Sequence, residues 1–90
     1  MKVELSESVQ RQLKSLFKKD LKLFRQIQKQ LKNFRQNPTL ASLRIHKLSG
    51  RLDNSYSLSI NRKFRMIYTL TPESTAYFFD LGTHDEVYRK

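Results

Sequence analysis

A chain of 90 residues with 38% hydrophobic content is read as one domain, residues 1–90, because two cores could not both be covered at this length. It contains no cysteine, which excludes a disulfide scaffold and a cysteine-built metal site, and no segment reaches the length of a membrane span. Eighteen Lys and Arg against eight Asp and Glu leave a net charge of +10, so an anionic partner is expected: nucleic acid, an acidic protein or an anionic membrane surface.

The first residues, Met1 to Glu7, lack the apolar run of a secretory signal, and the chain reads as cytoplasmic. Lys2 to Leu5 is compatible with a short strand. Ser6 is placed as a helix N-cap, after which Val9, Leu13, Leu16 and Phe17 recur at helical spacing. Asp20 is a second N-cap. Beyond it Leu21, Phe24, Ile27, Leu31 and Phe34 continue a helical stripe until Asn37-Pro38 stops it. Two helices in close succession make a helical hairpin.

The period then changes to two. Leu43 to Leu48 carries strand-compatible residues and ends at the Ser49-Gly50 turn signal. Tyr56, Leu58 and Ile60 alternate with Ser55, Ser57 and Ser59, the clearest alternation in the chain. Asn61-Arg62-Lys63 turns into a strand over Phe64 to Leu70, and Thr71 to Ser74 turns into another over Thr75 to Leu81, with a turn after Gly82. The predicted fold is α+β: β-α-α-β-β-β-β, a two-layer sandwich with the helical hairpin on one face of a mainly antiparallel sheet. Tyr56, Leu58 and Ile60 should point at the helices, and Ser57 and Ser59 at a face the two helices cannot cover.

Three constellations bear on chemistry. Lys18, Lys22, Arg25, Lys29 and Lys32 fall at intervals of four and three, one side of a helix; they are either a solvated face or a ridge that docks phosphates without reading sequence. Lys47, Arg51, Arg62, Lys63 and Arg65 spread over the strand half. Arg65 alternates with Phe64 and Met66, so it points away from its strand's apolar face, either as an exposed charge against edge pairing or as a clamp on a phosphate. Of the two histidines, His46 sits in a strand as a surface residue. His84 follows the apolar run and Gly82, with Tyr88 four residues on, where a strand end can aim side chains at a substrate. Imidazole is the side chain suited to proton transfer near neutral pH. No set of ligands is spaced for a metal, no cofactor motif is present, and no nucleophile motif or glycine-rich phosphate loop appears. RNA carries its own nucleophile, the 2′-hydroxyl, and needs only alignment, proton transfer and charge stabilisation.

The element order, the segment His46-Lys47-Leu48-Ser49-Gly50-Arg51-Leu52, the strands Tyr56 to Ile60 and Phe64 to Tyr68, and the terminal Gly82-Thr83-His84-Asp85-Glu86-Val87-Tyr88 together resemble the RelE/ParE toxin superfamily. Within it they are most similar to RelE and YafQ-like messenger-RNA interferases. The resemblance implies a prokaryotic type II toxin that enters the A site of the 70S ribosome and cleaves messenger RNA there by 2′-hydroxyl attack, a metal-independent endoribonuclease. It also implies an acidic antitoxin that wraps the toxin, which is a monomer when free and part of a hetero-oligomer when bound. By motif, Arg65 corresponds to the arginine at the scissile phosphate, His84 to the YafQ-like acid or base, Tyr88 to an aromatic that stacks on a base, and Lys47 to a supporting lysine before the Leu-x-Gly turn. Lys22, Arg25, Lys29, Arg51, Arg62 and Lys63 stand as backbone-docking cations. Ser57, Ser59, Lys63 and Asp80 depart from the family pattern, the two serines standing where RelE-type strands often carry lysines and YafQ-type strands a histidine. A ParE-like toxin that inhibits gyrase without cleaving anything, and a catalytically silent binding member, are the alternatives within the same fold.

Overall fold

The computed structural model describes residues 1–50 and 54–88; Arg51, assigned to phosphate docking, lies outside the described residues. The elements run β1 (Val3–Leu5), α1 (Glu7–Lys19), α2 (Leu21–Gln36), a 3₁₀ turn (Ala41–Leu43), β2 (His46–Lys47), β3 (Ser55–Ser59), β4 (Phe64–Leu70), β5 (Ala76–Thr83) and α3 (His84–Tyr88).

The helical hairpin is set by two side-chain caps. Ser6 Oγ accepts from the Val9 N–H at 3.1 Å, and Asp20 Oδ1 accepts from the Leu23 N–H at 3.1 Å. Asp20 also closes the first helix, its own N–H donating to the Leu16 carbonyl at 2.8 Å. One residue therefore ends α1 and starts α2, which leaves no linker for the helices to drift apart. Asn37 ends α2 with its N–H on the Asn33 carbonyl, and Pro38 follows; proline cannot continue a helix.

The predicted apolar stripe is corrected on either side of Asp20. Leu23 is buried and Leu21 is 40% exposed, and Phe17 is 58% exposed instead of facing the core. The Phe17 ring packs edge-on against Phe24 at 5.2 Å, outside the central cluster.

The sheet order is β1-β5-β4-β3-β2. β1 lies parallel to β5, with Val3 opposite Ala76, and the other pairs are antiparallel. The strand predicted over Leu43 to Leu48 shrinks to His46–Lys47. Leu43 is drawn into the core as the last residue of the 3₁₀ turn, and Arg44 takes a left-handed conformation, φ 46°, that interrupts any extended run.

On the helical face Val9, Leu23, Ile27, Leu31 and Phe34 meet Leu58, Ile60, Met66, Tyr68, Phe78 and Leu81 in one cluster. Phe34 is its keystone: its ring centroid lies 5.1 Å from that of Tyr68 and 5.6 Å from that of Phe78, and truncating such a side chain costs about 3–5 kcal/mol. Burial, reinforced by the neighbouring Tyr56 phenol, pushes the Tyr68 phenol up to about 12. Tyr68 is a core aromatic.

The opposite face is not bare as expected. Ser57 is fully buried and Ser59 nearly so, and α3 packs on β4 and β5. Ile67 opposite Ser57 and Val87 of α3 are buried apart from the main cluster. The Ser57 hydroxyl has no hydrogen-bond partner among the described residues. In register, Ile67 faces Asp80 and Tyr68 faces Phe78, so Phe79 is the extra residue of a bulge; a bulge bends its strand and re-aims the side chains beyond it.

Candidate functional site

The site forms where β5 hands over to α3. β5 continues through Gly82 to Thr83, and His84 opens a helix instead of the expected turn. A capping box makes that helix: the Glu86 N–H donates to Thr83 Oγ1 at 3.3 Å, and Glu86 Oε1 accepts from the Thr83 N–H at 2.7 Å. Two backbone donors that a helix start leaves open are thereby satisfied. Gly82 permits the close return of that turn, since a Cβ there would stand 3.0 Å from Glu86 Cβ and 3.1 Å from Glu86 Oε1.

This corner presents His84 to solvent, its side chain 69% exposed. Four residues on, one helical turn away, Tyr88 brings its ring centroid to 4.3 Å from the imidazole at an interplanar angle of 67°. Asp85 Oδ1 lies 3.7 Å from His84 Nδ1, too far for a hydrogen bond and too exposed for a strong ion pair. The imidazole is therefore oriented chiefly by Tyr88 and left free to meet a substrate.

Arg65 stands on β4, opposite Gly82 in the register. Its Nη1 donates to the carbonyls of Asn61 at 2.5 Å and Phe64 at 3.1 Å. Asn61 organises the turn beneath it: its Oδ1 accepts from the Lys63 and Phe64 N–H groups, both at 2.8 Å, and its Nδ2 donates to Gln26 Oε1 at 2.8 Å. The arginine is thus mounted on a turn that is itself tied to α2, and its Nε and Nη2 make no hydrogen bond among the described residues.

The structure brings His84 and Tyr88 together; Arg65 lies on the neighbouring strand, opposite Gly82, with its guanidinium on the Asn61 and Phe64 carbonyls, and Arg62 and Lys63 are exposed on the β3–β4 turn, with Lys63 Nζ 5.7 Å from the centre of the Phe64 ring. Lys47 is not brought in. It pairs with Tyr56 on the far edge of the sheet, three strand spacings of about 4.8 Å from β5, and on the opposite face from its neighbour His46, which pairs with buried Ser57. Lys22, Arg25, Lys29 and Lys32 are all exposed along α2, whereas Lys18 belongs to α1, across the Asp20 break. Sequence reasoning missed the capping residues Thr83 and Glu86 although their T-x-x-E spacing announces them, and it missed Asn61, whose role is visible only once β3 and β4 are paired.

The molecule has the α+β fold of RelE/ParE-like toxins, helices packed on a mixed five-stranded sheet. Among solved structures it is similar to a YoeB/ParE toxin from Agrobacterium tumefaciens, with 16% identity over 93% of this chain and 99% of that one and a TM-score of 0.78. It is similar also to YafQ from E. coli strain BL21(DE3), with 19% identity over 96% of each chain and a TM-score of 0.74. A YoeB-YefM complex from Staphylococcus aureus gives 21% identity over 93% of this chain and 97% of that one, with a TM-score of 0.75. No family model and no curated protein matches the sequence. At these identities the likeness is one of fold, and activity has to be argued from the site.

Proposed function

We propose that this chain is the toxin of a type II toxin–antitoxin pair and acts as a ribosome-dependent endoribonuclease on messenger RNA in the A site. The observation that carries the reading is the corner itself: an exposed imidazole held edge-on to a phenol, with a guanidinium from the adjacent strand. In the reaction the 2′-oxygen forms a bond to the adjacent phosphorus, its proton leaves to a base, and the P–O5′ bond breaks as the departing oxygen gains a proton. The products are a 2′,3′-cyclic phosphate and a 5′-hydroxyl. His84 performs one of the two proton transfers, Arg65 stabilises the charge growing on the phosphoryl oxygens, and Tyr88 offers a face on which a base can stack.

A net charge of +10 suits both partners of such a protein, the ribosome with its message and an acidic antitoxin. The exposed Phe17 beside Lys14 and Lys18 gives the antitoxin an apolar seat with a basic rim. Action on ribosomes places the protein in the cytoplasm, and no helix among the described residues is long and apolar enough to cross a membrane.

One observation favours the ParE-like reading instead. Ser57 and Ser59 are buried and carry no base on the strand beside Arg65, and gyrase inhibition needs none. Pulse-labelling after induction separates the two: the nuclease reading requires that amino-acid incorporation stop before thymidine incorporation, and the reverse order overturns it.

A further inference from the structure

A polar hollow of about 410 Å³ opens at the end of β3, lined by Ser42, Arg44, Ser59, Asn61, Arg62 and Arg65. We infer that Arg44 and Arg62, with Arg65, make it a subsite for a phosphodiester of the RNA backbone next to the one at His84, an inference that rests on the RNA reading above.

The walls of the hollow are fixed before any ligand arrives. Gln30, buried in α2, donates through Nε2 to the Ser42 carbonyl at 3.3 Å and to the Ser59 carbonyl at 2.8 Å, which ties the 3₁₀ turn to β3. The Ser59 hydroxyl donates to the Asn61 carbonyl at 3.0 Å, and Asn61 in turn is bonded to Gln26. Arg44 is held at φ 46°, a conformation unusual for a residue with a Cβ, with its N–H on the Ala41 carbonyl at 3.1 Å. Backbone of that kind persists only where its surroundings impose it, and it concentrates at binding sites.

Three guanidinium groups share this hollow, and no ion pair to an acidic side chain is recorded for any of them among the described residues. Like charges gathered without counter-charge favour an anion, and guanidinium donors match phosphate oxygens two at a time. Arg65 lines this hollow, and its backbone stands opposite Gly82, two residues before His84, so one backbone running across β4 and β5 would pass both in succession. That continuity distinguishes a diester chain from a free anion.

The test is equilibrium binding of a labelled uridine decamer at several salt concentrations, with circular dichroism to verify folding. Each lost phosphate contact on a single strand flattens the log–log salt slope by about 0.7. Arg44→Gln and Arg62→Gln should each lower the slope by about that amount, and the double variant by about twice as much. An unaltered slope in folded Arg44→Gln overturns the subsite. Inorganic phosphate displacing the decamer as well as a second decamer does would also overturn it, by making the hollow a free-anion site. Cleavage of ribosome-bound message is measured on the same wild-type protein. Intact message with a reduced slope in the variants sinks the nuclease reading and leaves the RNA subsite standing; cut message with an unchanged slope sinks the subsite alone.

Discussion

Arg65 and Gly82 stand opposite one another where β4 pairs with β5, and this pairing sets the strand that carries Arg65 beside the one that leads into His84 and Tyr88. Gly82 lets α3 fold back immediately, so His84 and Tyr88 rise next to the strand that carries the arginine. The chemistry proposed here depends on that geometry.

His84→Ala should leave the fold intact, since the imidazole is largely exposed and its contacts are confined to its own helix. Loss of a general acid or base typically lowers a rate about 10²- to 10⁴-fold. Single-turnover cleavage on programmed ribosomes, together with growth arrest, reports the effect; a wild-type rate in a folded variant removes His84 from the mechanism.

Arg65→Ala should reduce both affinity and rate, because the side chain is proposed to hold developing charge and not merely to attract RNA. Lysine offers a single point charge in place of a planar fork, so Arg65→Lys should recover only part of the loss. Full recovery would make Arg65 a docking charge.

Gly82→Ala tests the corner as a built structure. The added methyl meets Glu86 Cβ at 3.0 Å, and overpacking of that kind costs about 1–3 kcal/mol. Thermal unfolding should show the loss, and cleavage should fall further than stability alone explains, because displacing α3 moves His84 and Tyr88 away from Arg65. A variant that melts and cleaves like wild type would mean that the tight return is not needed.

Much of this was legible in the sequence. The caps at Ser6 and Asp20, the strands from Tyr56 onward and the turn at Asn61 are short-range signals, and each is where the spacing put it. What failed was tertiary in origin. Leu43 looks like a strand residue, but the core draws it into a 3₁₀ turn and Arg44 then breaks the extension. Phe17 and Leu21 have helical spacing, yet they stand at the two helix ends that meet at Asp20 and are exposed there. The face beneath Ser57 was expected to be open because the His84 segment was read as a turn; its Thr83–Glu86 capping box supplies the third helix. At the site, His84 and Tyr88 are in ring contact and Arg65 stands on the adjacent strand opposite Gly82, whereas Lys47 sits on the far edge of the sheet.

The exposed row on α2 gives a prediction independent of the corner. Replacing Lys22, Arg25 and Lys29 with Gln should flatten the salt dependence of ribosome or RNA binding while codon preference stays the same, as expected for contacts to phosphates and not to bases. A salt slope equal to that of wild type would identify the row as a solvated helix face.

The most direct measurement of the central claim is cleavage of ribosome-bound messenger RNA by the purified protein with chelator present, combined with a gyrase supercoiling assay on the same preparation. With the RNA 2′-hydroxyl as nucleophile, the message should be cut in the A site, the upstream fragment should end in a 2′,3′-cyclic phosphate or its opened form, and supercoiling should continue unaffected. Intact message and inhibited gyrase would contradict the account and leave His84 and Tyr88 as structural residues of a shared fold.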